Sequence, residues 1–213
     1  TEYVLILNPD VVLEKDTMEE LFLASKKLTD FTIIAPIEKK FKNYGMFNEK
    51  KIENINKKNI DNSPFKVDFV DGFAMLINKN KIKENYFFDE NFFMYWENND
   101  ICIRVINDGG SVFIVPRAKI KHLGAKAVDP KFFKEIELSR NWHWMWSTFN
   151  YHRKYKGFFI SLLIVLPKLI SAIIKILIYT LVINKEKKKI YYQRLSGLIN
   201  AIMGKSSWYR PKV

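Results

Sequence analysis

Cysteine is nearly absent from this chain: Cys102 is the only one in 213 residues. An internal disulfide is excluded, so the fold rests on packing and suits a reducing compartment. Glycine and proline are sparse, at 8 and 7, which excludes a collagen-like repeat or a low-complexity chain. Acidic residues are almost missing from one region, since residues 151–213 carry 13 Lys or Arg and a single acid, Glu186. Long uncharged runs are also lacking there. Between 157 and 183 the longest is Gly157 to Pro167, shorter than the roughly 18–20 residues of a spanning helix. A mean hydropathy of −0.15 excludes a polytopic membrane protein, and no internal repeat is present.

What is present is 48% apolar and 15% aromatic residues, enough for one full domain with a sizeable core. The net charge of +12 invites a nucleic-acid reading, but its location argues otherwise. Residues 1–150 hold 22 basic and 22 acidic residues, so the whole excess lies in 151–213. That region also holds the most apolar run, Gly157 to Ile183. Positive charge beside a greasy helix suits an anionic membrane surface, at about 1 kcal/mol per Lys or Arg. A nucleic-acid module mixes its charge with polar and stacking groups instead. Ser161, Lys168 and Lys175 recur every seven residues and form one polar stripe on a helix. An interfacial arrangement with the lysines towards the headgroups fits better than a spanning one, which the many apolar neighbours of the two lysines leave open.

Along the chain, Tyr3–Leu7 reads as a buried strand stopped by Asn8-Pro9-Asp10. A chain opening at Thr1 straight into such a strand is expected to be the C-terminal part of a longer protein. Asp16 or Thr17 is placed to cap a helix to about Leu28. Thr32 to Ala35 reads as a strand, residues 38–63 as a surface loop, and Val67 to Ile77 as one or two strands bent at Asp71-Gly72. Glu97 to Asn107 has helical spacing, with Ile101, Cys102, Val105 and Ile106 on one face. Ser111 to Val115 and Ala118 to Lys121 read as strands, and Lys131 to Trp146 as a helix. Two regions are expected: 1–150 as an α/β domain and 151–213 as a basic, apolar helical tail.

Asp10 follows a strand's C-terminal end, where open α/β sheets place ligand groups. It is either a turn residue or a hard carboxylate ligand for Mg²⁺ or Mn²⁺ holding a diphosphate. A lone His122 is structural unless a second metal group joins it. Glu97 and Asp100 are two acids at a helix start, flanked by Tyr95 and Trp96. They either complement the helix dipole or supply a general base beside aromatics that stack on a sugar. Arg104 lies one turn beyond Asp100 and can pair with it. Asp71-Gly72 marks either a bulge or a close approach to a ligand.

These segments, taken in order, are Leu5 to Val11, Val67 to Ile77, Phe88 to Arg104 and His122-Leu123-Gly124. Together they resemble the C-terminal half of a family 2 glycosyltransferase, nearest its rhamnosyltransferase-like branch, over roughly residues 3–150. The resemblance implies a partial GT-A fold: Rossmann-like, with a mixed sheet, lacking its N-terminal nucleotide-binding strands and followed by C-terminal apolar helices. It implies a divalent metal and donor diphosphate on Asp10 and His122, with Asn8 replacing the family's first acid. It places Asp71, Gly72 and Trp96 on the acceptor side. The family's base lies in a Glu-Asp-x-Asp pattern, matched here by Glu97-Asn98-Asn99-Asp100. Asn98 stands where the base usually does and cannot take a proton, so Glu97 or Asp100 is left for that role, with Asn98 and Arg104 in support. The implied partners are a nucleotide-sugar donor, a lipid-linked or surface glycan acceptor and the anionic, cytoplasmic face of a membrane, with no nucleic acid. The alternative is a catalytically impaired membrane-binding module on the same fold.

Overall fold

A computed structural model of the chain describes residues 1–47, 62–83, 87–124 and 128–211. The loop expected over 38–63 lies outside the described residues from 48 to 61. The described residues form a mixed α/β structure with a mixed sheet and five α-helices. They divide into two units, residues 1–88 with 98–127 and residues 89–97 with 128–213.

The first unit is built on a sheet ordered β1-β7-β3-β8-β2, with β5 also paired to β8. Its strands are β1 (Tyr3–Leu7), β2 (Val11–Leu13), β3 (Phe31–Glu38), β5 (Phe65–Val67), β7 (Ala74–Asn78) and β8 (Ser111–His122). β4 (Tyr44–Gly45) and β6 (Phe69–Val70) form a separate two-stranded ribbon. Only β3 and β8 run parallel. β3 and the first half of β8, Val112 to Val115, are nearly continuous apolar runs because both of their faces are covered, whereas Arg117, Lys119 and Lys121 later in β8 alternate outward. Side chains alternate across the pleat accordingly. Ile33, Met75, Ile77, Val112 and Ile114 meet Ile101, Cys102 and Val105 of α2 (Glu97–Asn107). Ile34, Leu76 and Phe113 meet Leu21 and Ala24 of α1 (Thr17–Lys27) on the other face. Each such side chain, fully buried, contributes about 1.5–3 kcal/mol. Burial pushes the Cys102 thiol up to about 12, so it is a core residue and no nucleophile.

Two local expectations are corrected here. Asp16 makes no capping bond through its side chain, and the Thr17 hydroxyl donates to the Lys119 carbonyl instead. The helix start is thereby tied to β8, while Glu19, Glu20, Lys26 and Lys27 complement its dipole. The two short strands expected over 111–121 are one strand of 12 residues. Its ladder with β3 jumps from Pro36↔Val115 to Ile37↔Lys119, because Pro36 and Pro116 offer no N–H at the break. The resulting bulge lets β8 continue to pair with β2, ending at Val11↔His122.

The second unit consists of α3 (Phe133–Lys156), α4 (Phe158–Leu181) and α5 (Lys185–Ile202), preceded in sequence by the aromatic segment 89–97. A boundary at 150 falls inside α3 and is corrected: Trp142, Trp146 and Phe149 of that helix share a core with Val165, Leu198 and Ala201. α5 approaches α3 closely at Gly197, where an added Cβ would lie 2.3 Å from the Trp142 carbonyl oxygen. Gly197→Ala gains about 1 kcal/mol of helix propensity. The obstacle is backbone and cannot rotate away, so overpacking wins. The expected net loss is about 1–3 kcal/mol, read as a lowered denaturant midpoint.

α4 runs unbroken through Pro167 and is long and apolar enough to cross a membrane, with a mean hydropathy of 2.3 over 18 residues of which 17% are buried. Part of its polar stripe turns inward, against expectation, while Lys168 stays exposed. Ser161 is buried, Lys175 donates to the Tyr191 hydroxyl at 3.1 Å, and Lys168 lines a cleft with Trp144 and Arg194. The Ser161 hydroxyl donates to the Gly157 carbonyl one turn earlier, and Lys175 reaches α5, while Phe159, Leu163, Ile170, Ile174 and Leu177 are exposed.

Candidate functional site

In the first unit, Asp10 and His122 come together although 112 positions separate them. The β2–β8 pairing does this: Asp10 precedes β2 and His122 ends β8, and the Leu123 amide donates to the Asp10 carbonyl at 2.8 Å. Asp10 Oδ2 lies 3.3 Å from His122 Nε2. Pro9 and the bond from the Asn8 amide to the Phe73 carbonyl, 2.9 Å, shape the turn that presents Asp10.

The imidazole is fixed from several sides. Phe73 stacks on it with ring centroids 4.5 Å apart, Phe41 meets it edge-on, and Glu38 accepts a hydrogen bond from the His122 backbone amide. Glu38 is a buried acid at the end of an apolar strand. Its place as the last residue of such a run is the one sequence signal that could have singled it out. Phe73 and Phe41 carry no such signal.

Asp71 and Gly72 form the turn from β6 to β7 beside this pair. Burial pushes the Asp71 carboxyl above its ordinary range, and the charge of His122 opposes the shift. Among the described residues, no three His, Cys, Asp or Glu side chains gather closely enough to hold a metal ion unaided. The Asp10–His122 pair offers one hard oxygen and one imidazole nitrogen, two neighbouring corners of a coordination shell. The Asp10 carboxylate with phosphate oxygens and water is the usual donor set for Mg²⁺ or Mn²⁺, to which His122 would add one imidazole nitrogen.

On α2 the acids separate in character. Asp100 is fully buried and pairs with Arg104 at 2.9 Å, and the guanidinium also reaches the Phe87 carbonyl. The Asn98 amide donates to the Val70 carbonyl at 2.8 Å, which ties the helix start to the strand leading into Asp71. Glu97, one residue earlier, is different. Its Oε2 is buried with no hydrogen-bond partner among the described residues, and desolvation raises its carboxyl above the ordinary value.

In the second unit the backbone leading to Glu97 is strained. Tyr95 and Trp96 both adopt left-handed φ, at 69° and 70°, which costs about 1–3 kcal/mol per residue for bulky side chains. Contacts within the unit hold them there. Arg140 donates to the Tyr95 hydroxyl at 2.8 Å, Trp96 Nε1 donates to Thr148 at 3.1 Å, and Tyr151 stacks on Trp96 at 4.5 Å. Trp144 meets both Tyr95 and Trp96 and remains exposed. One face of Trp96 is therefore covered, and Trp144 offers the open aromatic surface, a residue the sequence marked only as part of a helix. Arg140 likewise carried no signal.

No protein-family model matches the sequence, and no curated protein is significantly similar to it. What the fold defines is the class: a mixed α/β protein whose described residues form a mixed sheet and five α-helices, with an acid–histidine pair at one end of the long strand.

Proposed function

We propose that this chain is a membrane-associated, inverting glycosyltransferase of the GT-A type, moving a sugar from a nucleotide-sugar donor to a hydroxyl of a lipid-linked or surface glycan. The observation that carries the reading is the convergence of Asp10 and His122 where the first strand ends. It matches the order of groups in the family that the sequence resembles. Asp10 and His122 would hold a divalent ion together with the donor diphosphate, and that ion supplies charge neutralisation for the leaving group. Glu97 is the base: its unpartnered oxygen accepts the proton of the acceptor hydroxyl. The acceptor oxygen forms its bond to the anomeric carbon as the bond to the diphosphate breaks on the opposite face, inverting the configuration. Asp100 and Arg104 set the pitch of α2 and are positioning residues. The left-handed turn at Tyr95-Trp96 spends strain to aim Glu97, and Trp144 gives a sugar ring an apolar face. The exposed side of α4 and the basic tail keep the enzyme at a cytoplasmic membrane surface, beside its acceptor.

Nucleoside diphosphate binding with and without Mn²⁺, followed by calorimetry on the natural protein, tests the carrying observation. Asp10→Asn and His122→Gln are each expected to weaken Mn²⁺-dependent binding by at least the about 10–100-fold that losing even an outer-shell metal partner causes. Unchanged binding in both variants would remove the metal-and-diphosphate assignment. The Asn98 amide, committed to Val70, favours a second reading as a non-catalytic module. Binding of the diphosphate without any transfer would select it.

A further inference from the structure

The second unit contains a cavity of about 570 Å³ that the proposed transfer chemistry does not use. Lys185, Lys188, Lys189 and Tyr192 of α5 line it, with Glu135 of α3 and Tyr209. The three lysines and Tyr192 recur at i, i+3, i+4 and i+7, so a single helix face presents three ammonium groups and a phenol. Among the described residues, none of the three lysines is ion-paired. One acid, Glu135, faces them, and Glu186 on the same helix is taken by Lys134 at 2.6 Å. The lining therefore carries a surplus of positive charge in a concave, partly aromatic setting, which calls for a multiply accepting anion.

A second observation identifies what the anion is attached to. The chain immediately before these lysines is the most exposed apolar end of α4, with Leu181 and Ile183 at 82% and 78% exposure. Asn184 then caps α5, its side chain accepting from the Lys187 amide at 3.0 Å. Bare aliphatic surface and a cationic cavity thus adjoin within two residues. Acyl chains complement the first and a headgroup anion the second. A soluble anion would leave Leu181, Val182 and Ile183 in water.

We infer that this cavity receives the phosphate of an anionic lipid headgroup, held by Lys185, Lys188 and Lys189 while the C-terminal end of α4 lies among acyl chains. The inference rests on the membrane part of the proposed function and is independent of sugar transfer.

Vesicle co-sedimentation tests it with three lipid mixtures: phosphatidylcholine alone, phosphatidylcholine with phosphatidic acid, and phosphatidylcholine with oleate at matched surface charge. The parent protein binds all three and prefers the phosphatidic acid vesicles. Lys185→Ala/Lys188→Ala/Lys189→Ala loses about 10–100-fold in affinity for those vesicles and keeps its binding to the neutral ones. A charge-matched control, Lys15→Ala/Lys26→Ala/Lys27→Ala in the first unit, changes by less than about threefold. Circular dichroism of each variant establishes that α5 is intact, and the milder Lys188→Gln shows a smaller loss of the same sign. Equal losses in the two triple variants, or equal binding to oleate and phosphatidic acid vesicles, would reduce the effect to bulk charge and overturn the site. Soluble glycerol phosphate binding as tightly as vesicles would overturn the lipid source. Failure to bind any vesicle would overturn the membrane reading itself, whatever the transferase assay shows.

Discussion

Glu97→Gln is expected to lower turnover by about 10²–10⁴-fold, the usual loss when a general base is removed, with donor binding nearly unchanged. Gln keeps the volume and one oxygen of the side chain but cannot take the acceptor's proton, so the loss falls on kcat and not on KM. The pH profile carries a separate signature. Desolvation raises the Glu97 carboxyl above its ordinary value, and a base acts only when ionised. The rate should therefore climb with pH through a limb lying above the ordinary carboxylate range, and Glu97→Gln should abolish that limb. The stability effect has the opposite sense. With its folded value raised, Glu97 contributes most below the unfolded pKa and loses that contribution as pH rises through the folded one. At neutral pH the Gln variant should be no less stable than the parent. Near-normal turnover in Glu97→Gln, measured with a nucleotide-sugar donor, would leave Glu97 as a strained helix start with no part in proton transfer.

Arg104→Met is expected to cost about 3–5 kcal/mol of stability, the range for removing one partner of a buried ion pair. Asp100 is fully buried and the Arg104 side chain is 13% exposed, so water cannot replace the guanidinium without opening the packing of α2. The loss should appear as a lower urea midpoint with an unchanged slope. The double variant Asp100→Asn/Arg104→Met should recover part of it, because the carboxylate charge is then gone. If the single variant cost less than about 1 kcal/mol, as an exposed pair would, the helix would not depend on this pair. The two experiments separate the acids at the start of α2: Glu97 is expected to matter to rate and Asp100 to the fold.

How much of this was legible beforehand follows the range of the interactions. β1, α1 and α2 lie within a residue or so of where apolar periodicity placed them, because their signals are carried by near neighbours: an unbroken apolar run for β1, a three-to-four spacing for α2. Asp10, Asp71 and His122 could be named one at a time from turn chemistry and from a resemblance, but nothing local placed them together. The β2–β8 register does that, and it depends on the bulge where Pro36 and Pro116 interrupt the ladder. Glu38 could be singled out only as an acid ending an apolar run; its support of His122 depends on β8 covering it.

The C-terminal region divides the same way. That 157–183 is helical, apolar and charge-striped was determined by composition and period alone. Which way the stripe faces was decided by tertiary structure. Lys175 turns towards α5, where the Tyr191 hydroxyl accepts from it, and Ser161 is buried with its own bond made to the Gly157 carbonyl; a polar group on a half-covered helix gains more from a fixed partner than from the open side. Local sequence thus determined most of the elements and which side chains are candidates for chemistry. Strand pairing, burial and helix facing are settled by contacts between residues distant in the chain, and these decided which of those side chains meet.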